Sequence, residues 1–143
     1  MSQVSNSQRA LWTGLGLMLI GPFLAALGVV AAVGLAPVFQ LEPLLPPGLP
    51  PAGFAGITVF VWAAIPSAIA TAILVPVVLR QGTFSNLWAA VAGVTGFFLS
   101  ILFMEMPFRQ HVPALAFLAA FAAIGVRYAL LSGGILIQAK NTG

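Results

Sequence analysis

Apolar residues fill four long stretches of the chain, each bounded by a charged side chain: after Arg9, before Arg80, before Glu105 and before Arg127. A helix needs roughly 20 apolar residues to cross a hydrocarbon core of about 30 Å. The stretches meet that length and predict helices at about 11–35, 57–79, 86–104 and 112–137. The expected architecture is an all-α integral membrane protein, a single transmembrane domain over 1–143 folded as a four-transmembrane-helix bundle. Ser7 stands where its side chain can cap the first turn of the first helix.

The intervals between the stretches sharpen this picture. Residues 36–53 are expected to form the one sizeable loop, because Pro37, Pro43, Pro46, Pro47, Pro50 and Pro51 are six of the eleven prolines and exclude a regular helix. Leu41, Leu44, Leu45 and Leu49 are interleaved with them, so the loop is expected to lie on the membrane surface or against another protein. Gln81-Gly82-Thr83 reads as a tight reversal. Pro113 is compatible with a helix start, where the missing N–H has no intrahelical partner. Only 17 residues separate Arg109 from Arg127. The fourth helix is therefore expected to reach the interface with the Arg127 stem or to continue through Ser132-Gly133-Gly134 toward Ile137. The first apolar run extends to Leu41, well beyond the ~7–15 residues of a secretory leader's core, which predicts a retained span.

Composition agrees. The chain is 61% hydrophobic and 5% charged, against roughly 45–50% and about 25% for an ordinary soluble domain. Five basic and two acidic side chains cannot cover a water-facing surface of 143 residues. With no cysteine there is no disulfide framework and no thiolate chemistry. The basic residues Arg9, Arg80, Arg109, Arg127 and Lys140 are scattered and form no patch for nucleic acid. Their distribution orients the bundle: all but Arg109 fall on one side of a four-span arrangement, which predicts that both termini are cytoplasmic. Trp12 and Trp88 stand at that side. Trp62, 18 residues before Arg80, or roughly 27 Å along a helix, is expected in an aromatic belt at the opposite interface.

Four features are candidates for function. Ala63, Ser67 and Thr71, and again Ala92, Gly96 and Ser100, recur at four-residue spacing and read as helix-packing seams, within the bundle or toward another subunit. Gly21-Pro22, Pro66 and Pro76 interrupt the backbone ladder and are expected to kink their helices, broken helices being also a way to build ion or substrate sites. Arg127, with Tyr128 beside it, has no nearby acidic side chain, since Glu42 and Glu105 fall on the other side. It is expected to snorkel to anionic headgroups or to meet a carboxylate on a partner. Glu105, Arg109 and His111 form the one polar cluster, at the water boundary between the third and fourth helices.

Several functions are disfavoured on the same residues. No predicted span carries an embedded Asp or Glu for proton-coupled export. The sole histidine lies in a loop, so the bundle holds no pair of axial haem ligands. The hydroxyls of Ser67, Thr71 and Ser100 have no base nearby in sequence, so no enzyme, cofactor or metal is expected. The leading expectation is an accessory or assembly subunit of a larger complex in a bacterial-type inner membrane, contacting lipids and other membrane subunits. The alternative is a homo-oligomeric channel or small-solute transporter, with Ser67 and Thr71 along its path. Many unrelated groups of four-span proteins share this hydropathy, so the fold alone does not decide.

Overall fold

The computed structural model describes residues 4–45, 47–105 and 112–138. Over these the chain is helical, with α1 (Asn6–Leu35), a short 3-10 turn (Glu42–Leu44), α2 (Ala52–Gln81), α3 (Asn86–Phe103) and α4 (Val112–Ser132). All four α-helices are long and apolar enough to span a membrane, and no more than 33% of any span's most apolar stretch is buried inside the bundle. A helix that stays apolar on its outward faces suits a lipid surround.

Each helix packs on its neighbours in chain order, α1 on α2, α2 on α3 and α3 on α4, and α4 closes the ring against α1. Consecutive helices run in opposite directions, so the start of α1, the segment after α4 and the α2–α3 turn share one end of the bundle. The α1–α2 loop stands at the other. These are called the termini end and the loop end below.

The helix limits follow from local chemistry. α1 starts at Asn6, not near Leu11, because Ser5 rather than Ser7 is the cap: its hydroxyl accepts from Gln8 N–H at 3.3 Å while Gln8 Oε1 accepts from Ser5 N–H at 3.1 Å. This reciprocal pair is a capping box. At its other end the chain turns on past Leu35, and Gln40 adopts a left-handed φ of 55°. Leu41 N–H then donates to the Ala36 carbonyl at 2.9 Å, the closure of a Schellman turn.

α2 begins at Ala52 rather than Ile57, directly after Pro51. Gly53 falls in the expected loop and Gly56 just before the expected helix start, yet Gly56 is needed in the helix. A Cβ there would stand 2.5 Å from Val30 Cγ2 of α1. α4 ends at Ser132 and does not reach Ile137. Gly134 takes a φ of 70°, and Ile137 N–H returns to the Gly82 carbonyl at 3.4 Å.

One further expectation is revised. Trp62 does not stand in an outer belt: ten residues into α2, or roughly 15 Å, it is half-buried and meets Phe97 edge-on at 5.5 Å. Its indole N–H is buried without a protein acceptor, whereas Trp12 and Trp88 are exposed. An interfacial tryptophan would present that N–H to water or headgroups.

The interior is unequal along its length. Leu17, Leu74, Val78, Phe84, Val126 and Leu130 belong to a broad buried cluster toward the termini end. A second, smaller cluster toward the loop end joins Ala25, Val59, Ala63 and Ala122.

Candidate functional site

The seams read from spacing lie inside the bundle, on two different contacts. On α3, Ala92, Gly96 and Ser100 are all buried, and Gly96 lies against α2, where a Cβ would come within 2.5 Å of the Pro66 carbonyl oxygen. Ser100 donates to the Gly96 carbonyl at 2.6 Å, so its hydroxyl is satisfied within its own helix. Gly93, one residue beside the predicted row, makes the matching approach to α4: its Cβ would stand 2.6 Å from the Ala119 carbonyl oxygen.

On α2, Ala63 is buried while Ser67 and Thr71 face α1. A Cβ at Gly21 would meet Ser67 Oγ at 3.2 Å, and one at Gly14 would meet Thr71 Cγ2 at 3.3 Å. Thr71 donates to the Ser67 carbonyl at 2.8 Å. The two hydroxyl residues are thus part of the α1–α2 contact. The glycine side of that contact has a sequence signal, the seven-residue spacing of Gly14 and Gly21, which lies outside the four-residue rows.

Arg127 finds its partners in the chain itself. Its Nε donates to the Phe84 carbonyl at 2.6 Å and its Nη1 to Asn86 Oδ1 at 2.7 Å. The Tyr128 ring lies 6.0 Å from its Cζ, at the outer limit for a cation–π contact. Two charge-assisted hydrogen bonds partner the half-buried guanidinium without any carboxylate. Sequence reasoning counted acidic side chains as acceptors; a main-chain carbonyl 43 positions away has no sequence signature.

Arg9 plays a related part: Nη1 donates to the Ile135 carbonyl at 2.8 Å and Nε to the Val4 carbonyl at 3.0 Å. Asn6 Nδ2 donates to the Leu79 carbonyl at 3.3 Å. The three side chains sew the N-terminal turn, the α2–α3 turn and the segment after α4 together. Glu105 is exposed beyond the end of α3. Arg109 and His111 lie outside the described residues, as does Lys140.

Two apolar spaces open between the helices. A small internal cavity of about 60 Å³ lies at mid-bundle beside Pro66, Ser67, Trp62 and Phe97. A larger one of about 390 Å³ lies at the loop end between α1 and α4, backed by Ala55 and Val59 of α2. Thr13 and Thr83 each bury a hydroxyl without a protein partner, but neither lines these spaces. Among the described residues no group of histidine, aspartate or glutamate is arranged to hold a metal ion. No protein-family model, curated protein or solved structure matches the chain.

Proposed function

We propose that this chain is an accessory or assembly subunit of a larger protein complex in a bacterial-type inner membrane, with both termini on the cytoplasmic side. The observation that carries the reading is a pair of bulky apolar ridges on the outer surface, one of them wholly aromatic. Phe117 and Phe121 are one turn apart on α4, Phe98 and Leu102 one turn apart on α3, and all four are exposed. Rows at four-residue spacing are the ridges by which helices interlock, and aromatic side chains supply rigid contact area at protein interfaces.

The orientation is supported by the described basic residues. Arg9, Arg80 and Arg127 all stand at the termini end, on α1, at the foot of α2 and low on α4, and short cytoplasmic segments are enriched in such residues. The placement of Ser67 and Thr71 against α1 favours a subunit over a channel lined by that pair.

The test is extraction through an affinity tag in mild detergent, followed by native mass spectrometry. A foreign subunit should remain at fixed stoichiometry, and its share should fall in the double variant Phe98→Ala/Phe117→Ala. Recovery of this chain alone, or as a ring of its own copies, would overturn the reading.

A further inference from the structure

The 390 Å³ space at the loop end is large for an internal void and falls within the ~300–1,000 Å³ common for small-molecule sites. Its walls are Ala32 and Val33 of α1 and Leu115 and Phe121 of α4, and Leu44, Leu45 and Leu49 of the proline-rich loop close it at one end. Every lining side chain belongs to glycine, alanine, valine, leucine or phenylalanine. Water gains nothing from such walls, since a cavity needs two to four polar partners to hold it.

The mouth is on the side of the bundle. Ala32, Leu44, Phe117 and Phe121 line the space and are also exposed on the outer surface. Deeper in, α1 and α4 converge, so that a Cβ at Gly28 would stand 2.8 Å from Leu118 Cδ1. The space is therefore a blind groove, closed by helix contact at its inner limit and by leucines at its outer one.

Shape decides among occupants. The leucine roof stops a spanning helix from running through the groove. An acyl chain is one methylene wide, bends freely, and is already the solvent of a lateral opening between membrane helices. We propose that the groove holds a single acyl chain of a membrane lipid, entering sideways between α1 and α4 under the loop. The groove shares Phe117 and Phe121 with the α4 ridge but takes no residue from α3, so loss of a partner on Phe98→Ala and loss of lipid labelling on Ala32→Trp are separate outcomes.

The full chain, reconstituted in phosphatidylcholine vesicles with a trace of phosphatidylcholine carrying a photoactivatable group midway along one acyl chain, tests this directly. After illumination, peptide mass spectrometry should find adducts on Ala32, Leu115 and Phe121 enriched several-fold over Leu19 and Phe23, which are exposed elsewhere on α1. Ala32→Trp should abolish the enrichment, and the milder Ala114→Leu should reduce it, with adducts at Leu19 unchanged as the check that the bundle is intact. Equal labelling of groove and control positions would overturn the proposal. So would a groove pattern indifferent to both substitutions.

Discussion

The two ends of this bundle solve the same problem by different means. At the termini end, Arg9, Asn6 and Arg127 reach main-chain carbonyls of segments distant in sequence, over a core that contains Phe84, Leu74 and Leu130. At the loop end an apolar gap opens between α1 and α4, and an irregular leucine–proline segment covers it. Where a chain has few polar side chains, those few do most when they satisfy backbone groups that helix ends leave open. Among the described residues, one end is thereby set in place by directional bonds between distant segments, while the other is held by contact.

The largest effect expected is one that removes the distinction by separating the helices on which both ends stand. Gly96→Leu forces a side chain into the Pro66 backbone and should cost about 3 kcal/mol; thermal unfolding in detergent should show it, and a native-like transition would refute the close approach of α2 and α3. Arg127→Met should act on the termini end only. It strands the Phe84 carbonyl and Asn86, a loss of about 1–3 kcal/mol, and amide exchange should rise around 83–86 while that of 55–63 stays level. A uniform rise along α2 would mean that the two ends are not separable.

Thr13→Val tests the same end in the opposite sense. The hydroxyl is fully buried and without a partner, so an apolar side chain of equal shape should leave stability unchanged or raise it by up to about 1 kcal/mol. A clear destabilisation would reveal an acceptor. Smallest of all should be Leu45→Ser in the roof, within about 0.5 kcal/mol of the parent, because no directional bond depends on that side chain. A large loss there would show that the loop end is knit as tightly as its opposite.

Much of this architecture was legible before any coordinates. Hydropathy located the four helices because lipid demands long apolar runs whatever the packing. Their limits were less legible where glycine or a distant partner intervened. The start of α2 is expected at Ile57 and not at Ala52, since the need for glycine at position 56 comes from Val30 on another helix. The end of α4 was carried to Ile137, since nothing local shows that Ile137 bonds back to Gly82. The candidate site divides in the same way. Rows of small residues are a pattern in one dimension, so Ala92, Gly96 and Ser100 could be named in advance. The acceptors of Arg127 and the groove under the loop are properties of folded neighbours, and no spacing announces them.

Gly14, Gly21 and Gly28 have a consequence of angle. Seven residues fall about 20° short of two full turns of a straight helix, so a line of glycines at that interval winds slowly around α1 instead of running straight along it. The contacts follow the winding: Gly14 meets Thr71 of α2, Gly21 meets both Ser67 of α2 and Val126 of α4, and Gly28 meets Leu118 of α4. A single spiral of bare backbone thus hands α1 from one neighbour to the other, like a thread whose pitch sets where each flank engages.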